Sequence, residues 1–227
     1  MNTLLITILP SILIVTFFVK SDRFQEPNSQ IIKIFFYGIL ICFPAYYLNT
    51  VLGNIYASRG VSESLISSFL TAAPVEEILK FSVLYSLVYK MKDFNEPIDG
   101  LVYGVTVSLG FATLENIYYV YVLSDYFETT SRALAIGRSF SSIPAHGIFG
   151  ATMGYFFMKY SFIGKKNNLA LCMIAPILLH GAYNFFAHSY FIISLLIIII
   201  SWVVLLRAFS RLKKSQKNKK QEYEKKI

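Results

Sequence analysis

Residues 65–90 read LISSFLTAAPVEEILKFSVLYSLVYK, an apolar stretch long enough to cross a bilayer that carries Glu76, Glu77 and Lys80 near its middle. Each ionisable group at the centre of a membrane helix costs about 2.5–3.5 kcal/mol on insertion scales. A helix bearing three of them inserts only if neighbouring helices receive its charged face. The rest of the chain must therefore supply further membrane helices with polar groups at a similar depth.

It has the composition to do so. Of 227 residues, 55% are hydrophobic and 15% charged, with a mean hydropathy of +0.54. A soluble domain carries about a quarter charged residues, so the surplus apolar surface must face lipid. Apolar runs at about 3–20, 31–52, 65–90, 98–123, 139–160, 169–187 and 189–206 predict seven spans. Short polar connectors join them at 21–30, 90–97, 124–138 and 161–168. The fold class is all-α, a polytopic transmembrane helical bundle over 1–206 followed by a basic cytoplasmic tail at 207–227, expected to be mobile. The first run lacks a basic n-region and a small-x-small cleavage site, so it is read as a span and not a signal peptide. Cys42 and Cys172 sit inside apolar runs and show neither metal-ligand spacing nor a disulfide framework.

The net charge of +8 is distributed as a membrane protein distributes it. Nine of the 21 Lys and Arg follow Trp202, where a basic cluster marks the cytoplasmic side and touches anionic lipid. With seven spans, a cytoplasmic C-terminus puts the N-terminus outside. Seventeen cations then lie on the inner side and three, Arg59, Arg132 and Arg138, in outer loops. The chain is expected in the cell membrane as a multi-pass protein, with the lipid bilayer as partner and no nucleic acid.

Other spans carry polar groups as well: Glu115, His146 and His180. In this orientation each lies eight or nine residues from the outer end of its helix, roughly 12–14 Å deep. Glu76 and Glu77 lie nearer the midplane. Four helices thus aim polar groups into one layer. Lys80 stands i,i+3 from Glu77 and i,i+4 from Glu76, so it can pair with either carboxylate and leave the other for general-base work. Pro74 is placed to kink the span and free nearby backbone groups. His180 and Asn184 share a face at i,i+4 and together could donate hydrogen bonds to an oxyanion. Gly100, Gly104 and Ser108 in the fourth span, with Gly147, Gly150, Ala151 and Gly154 in the fifth, predict a close helix crossing.

These residues also form four ordered blocks: Glu76-Glu77-Ile-Leu-Lys80, Phe111-Ala-Thr-Leu-Glu115-Asn116, the stretch from Arg138 ending Pro-Ala-His146-Gly, and His180-Gly-Ala-Tyr-Asn184. Over about 115 residues they resemble the PrsW family of intramembrane proteases, distant relatives of the CAAX-prenyl proteases and bacteriocin-processing enzymes. The resemblance implies cleavage of a single-pass membrane anti-sigma factor on its extracytoplasmic side, starting a stress response. It also implies a glutamate that activates water, matched here by Glu76, with His180 and Asn184 holding the oxyanion; the expected roles are Glu76 or Glu77 as the base, with Glu115 and His146 positioning the water or a metal. The CAAX relatives carry a histidine where this chain has Glu115, so that position does not transfer. The alternative chemistry is a zinc site, for which Glu115, His146 and His180 offer three ligands and leave a fourth position for water.

Two other functions use such a set. A proton- or cation-coupled transporter would employ the buried Glu, Lys and His groups as an ion path, although no inverted repeat is visible in the sequence. A non-catalytic member of the protease fold would keep the motifs without the reaction.

Overall fold

A computed structural model of the protein describes residues 2–164 and 166–224. The elements in order are α1 (Thr3–Ser21), α2 (Asn28–Ala57), a single turn α3 (Glu63–Leu65), a π-helical segment (Ile66–Ala72), α4 (Ala73–Ser86), a 3₁₀ turn (Val88–Lys90), α5 (Pro97–Tyr121), α6 (Ser131–Phe140), α7 (Ser142–Ile163), α8 (Asn167–Ser189) and α9 (Phe191–Glu224). No strand occurs among the described residues. The protein is a polytopic helical bundle, and α1, α2, α5, α8 and α9 are long and apolar enough to cross a membrane. The other two expected spans, the π segment with α4 and α7, are the ones that carry Glu76, Glu77, Lys80 and His146; α7 is buried along most of its length, and α4 buries its charged side while leaving Ile78 and Tyr85 exposed.

α5 is the central helix, buried along almost its whole length. Its start follows from Pro97 in the first turn and a reciprocal capping box between Glu96 and Asp99. Around it, Phe18 and Ile34 from α1 and α2, Leu84 from α4 and Phe157 from α7 form the main apolar core. The crossing with α7 is close, and glycine permits it. A Cβ on Gly104 or Gly154 would run into the backbone of the facing helix, at Gly150 and Gly100 respectively. Gly147 departs from the expected stripe, since it faces Ile14 and Trp202 instead.

Two connectors differ from the sequence reading. Within 124–138, expected to be a loop, the chain forms α6, whose Thr130 cap accepts the Ala133 N–H at 3.2 Å. Ala135 is buried on one side while Ile136 and Phe140 are exposed on the other. Ten residues are too few to cross a membrane, so a span-length reading passes over this helix. At the other end, α9 runs without a break through the expected boundary at 206/207. Side chains beyond Gln216, and with them most of the basic tail, lie outside the described residues.

The connectors at 22–30 and 90–97 meet at one end of the bundle. The Gln216 amide donates to Asp22 at 2.8 Å and to Glu96 at 2.7 Å, and Gln30 donates to Asp93 at 3.2 Å. Glu26 is buried here, accepting from the Tyr103 hydroxyl. Burial pushes its carboxyl up to about 7, with Asp93 and Asp22 adding to the rise and the Tyr103 bond opposing it.

Two measurements test this architecture. Gly104→Ala or Gly154→Ala should cost about 1–3 kcal/mol through overpacking, seen as a lower melting temperature in detergent, while Gly137→Ala, which meets open space, should be neutral. For Glu26, the folded state holds a proton that the unfolded chain releases near pH 4–5, so its contribution to stability falls as pH rises toward 7 and the cost is complete above that. The melting temperature should therefore drop between pH 5 and pH 7, and Glu26→Gln should shrink that drop.

Candidate active site

The π-helical segment brings the chain into the site. Its wider turns end at Ala72, and Pro74, which has no N–H to contribute, opens the first turn of α4. The kink expected at Pro74 thus takes the form of a change in helix type. Glu76, Glu77 and Lys80 follow on the buried side of α4.

Lys80 is fully buried. Its ammonium donates to Glu77 Oε1 at 2.7 Å, stands 3.7 Å from Glu76 Oε2, contacts His146 Nδ1 at 3.1 Å and lies 4.4 Å from the Phe111 ring centre. Of the two pairings the sequence allowed, the one with Glu77 is therefore the tight one. Glu77 Oε1 also meets His180 Nδ1 at 2.9 Å, and Phe149 stacks on the His180 ring. Glu76 is bound much less firmly. Its Oε1 is 3.5 Å from Asn49 Nδ2, and its Oε2 has no hydrogen-bond partner among the described residues.

A second chain of contacts runs from α6. Arg138 stacks over Tyr119 with its guanidinium carbon 3.8 Å from the ring centre, and donates to Glu115 Oε2 at 2.8 Å and Asn116 Oδ1 at 2.7 Å. Asn116 in turn donates to the Thr7 carbonyl, tying α5 to α1. Glu115 Oε2 meets His146 Nε2 at 3.1 Å. An ammonium can only donate, so His146 Nδ1 accepts from Lys80, and Nε2 carries the proton given to Glu115. A carboxylate only accepts, so His180 donates its Nδ1 proton to Glu77, and Nε2 points away from that bond.

A cavity of about 820 Å³ opens onto this array. It is lined by Glu76, Glu115, Arg138, His146 and Asn184, whereas Glu77, Lys80 and His180 are not on its wall. All six of the expected site residues are thus drawn into one region, in two ranks. Arg138, which the sequence reading left in an outer loop, and Asn49, which it passed over, join them. An amphipathic pattern at 131–140 was the available signal for Arg138. An asparagine in an otherwise apolar span was the signal for Asn49.

One carboxylate oxygen of Glu76 and one ring nitrogen each from His146 and His180 lie within 4.8 Å of one another. Glu76 thus stands where the sequence reading had offered Glu115 as a ligand, and Glu115 is held by Arg138. One carboxylate and two imidazoles make a familiar set for catalytic zinc. Glu76 Oε2 and His180 Nε2 are free to bind, and His146 can join by exchanging one of its two hydrogen bonds. The residues therefore fit a metal ion.

Comparison with known proteins agrees with this geometry. Residues 26–209 match the model for the PrsW family of intramembrane metalloproteases. The chain belongs to that family. Curated proteins named Protease PrsW are similar to it: one from Geobacillus kaustophilus at 37% identity, over 77% of this chain and 75% of the relative, and one from Clostridioides difficile at 36%, over 90% and 87%. A third, from Bacillus subtilis, is 35% identical over 78% of this chain and 79% of its own length. No solved structure matches the chain. PrsW membership makes the protein a multi-pass membrane peptidase and favours peptide hydrolysis over ion transport.

Because Lys80 and Glu77 neutralise each other out of contact with solvent, removing one partner strands the other. Lys80→Met should destabilise the protein by about 3–5 kcal/mol. Adding Glu77→Gln to that variant should restore part of the lost melting temperature.

Proposed function

We propose that the protein hydrolyses a peptide bond of a single-pass membrane protein, with Glu76 as the base that activates water. The observation that carries this is the division of labour between the two adjacent glutamates. Glu76 lines the 820 Å³ cavity, while Glu77, whose Oε1 is held by Lys80 and His180, lies behind it. A base must reach the water and must be free to take a proton.

In the proposed reaction Glu76 removes a proton from water, and the oxygen attacks the carbonyl carbon of the scissile bond. The Asn184 amide, on the cavity wall, donates to the oxyanion. When the C–N bond breaks, Glu76 returns the proton to the departing amine. Glu77 holds His180 in one tautomer and orientation, and Glu115, fixed by Arg138, does the same for His146. Glu76, His146 and His180 would hold a zinc ion, which when bound would acidify the attacking water; Glu76 would then be a ligand, and the ion would take over from it the activation of that water.

The substrate, by the resemblance of the four motifs, is a single-pass anti-sigma factor cut on its extracytoplasmic side as the first step of a stress response. The depth of the site residues and the Lys/Arg asymmetry, which puts the C-terminus in the cytoplasm and the N-terminus outside, support an outward-facing site.

Cleavage of a quenched single-span peptide by detergent-purified protein tests the proposal. Glu76→Gln should abolish turnover and leave the melting temperature nearly unchanged, whereas Glu77→Gln should lower both. Wild-type rates from Glu76→Gln would refute the assignment. Activity lost to a chelator and restored by zinc would establish the metal, and activity that survives chelation would leave the carboxylate as the sole activator.

A further inference from the structure

Apart from Lys80, the nearest polar contact to Glu76 comes from Asn49 on α2, at the long distance of 3.5 Å. A carboxylate only accepts, which fixes the amide with Nδ2 toward Glu76 and Oδ1 away from it. That oxygen is buried and has no hydrogen-bond partner among the described residues. An unsatisfied carbonyl inside a membrane protein is costly, because lipid offers no donor in place of water. α2 is otherwise an apolar and largely lipid-facing helix, with 22% of its most apolar window buried, so nothing in its own packing calls for an amide at this position.

Asn49 is also placed to meet a substrate. Cys42, Phe43, Tyr46, Asn49 and Thr50, at the i, i+1, i+4, i+7 and i+8 positions of one helical face, form the α2 wall of the cavity that Glu76 enters. Asn49 lies eight residues before the end of α2 at Ala57, about 12 Å along the axis, in the layer of the other site residues. Asn184 stands on the α8 wall of the same cavity. A peptide bond presents a carbonyl to be attacked, and the extended backbone beside it presents N–H groups that need acceptors once they leave water.

We propose that Asn49 is a substrate-binding residue, whose Oδ1 accepts a backbone N–H next to the scissile bond and so lays the extended peptide along α2. This rests on the protease reading and adds to it a residue outside the four sequence blocks. The oxygen is closed off in the resting protein, and it gains a donor when the peptide binds and the amide turns toward it. Affinity for the peptide is thereby gained at the expense of the resting protein's stability.

The test uses single-span peptides in which one backbone amide at a time is replaced by an ester, which removes the N–H. With wild-type protein, one ester position should raise KM about 3- to 10-fold, the worth of one hydrogen bond. Asn49→Ala should raise KM by a similar factor with a smaller change in kcat, and that ester should then have no further effect. Its melting temperature should stay level or rise, since a buried unpaired oxygen has been removed.

Peptide binding to Glu76→Gln protein, whose amide oxygen still accepts from Asn49, gives the same comparison as Kd without turnover. Should the wild-type protein cleave nothing, the protease reading fails, and this binding measurement decides the role of Asn49 by itself. Equal ester effects with and without Asn49, or a loss confined to kcat, would overturn the proposal. So would an absence of peptide binding.

Discussion

The ion pair between Lys80 and Glu77 is the constraint around which the rest is arranged. Both side chains are fully buried at 2.7 Å separation. Two charges in a low-dielectric interior are stable only when close partners replace the water they have lost. The Lys80 ammonium also reaches His146 and the Phe111 ring, and the Glu77 oxygen that it binds also receives His180. A single i,i+3 pair on α4 thereby sets the orientation of side chains on α7 and α8. With Glu77 committed to that task, its neighbour Glu76 is the glutamate that lines the cavity.

The scaffold holds this polar centre by two different means. Between α5 and α7 the means is close approach: the glycines at 100, 104, 150 and 154 let the two backbones nearly touch, and Ser108 on α5 donates to the His146 carbonyl at 2.7 Å. On the other side it is a side chain delivered from outside the bundle. α6 is pinned to α1 by the Ser139 hydroxyl, which donates to the Ile6 carbonyl, and from there Arg138 reaches Glu115. A planar guanidinium suits this position because it can hold a carboxylate, an amide and an aromatic face together.

The two ends of α5 differ in how they handle acidic groups. Toward its C-terminal end, Glu115 is bound by Arg138 and His146. At the other end, Asp22, Glu26, Asp93 and Glu96 gather around neutral donors, the Gln216, Gln30 and Tyr103 side chains, and no cation stands within ion-pair distance among the described residues. Burial, with Asp93 and Asp22 close by, raises Glu26 toward neutrality.

The sequence by itself determined the helical membrane class, the close α5–α7 crossing and the requirement that Glu76, Glu77, Glu115, His146 and His180 converge. Those conclusions follow from span length, from small-residue spacing and from the cost of stranded charge, all of which are local or compositional. It also limited Lys80 to two partners, since i,i+3 and i,i+4 neighbours are set by the helix itself. Only the tertiary structure decided which partner prevailed, which glutamate faces the cavity, which ring nitrogens of His146 and His180 are engaged, and that Arg138 and Asn49 belong to the site. Those facts depend on contacts spanning 23 to 103 residues, such as Arg138 with Glu115 and His180 with Glu77. Such contacts are fixed by how each helix is rotated against its neighbours, which the spacing within any one helix does not specify.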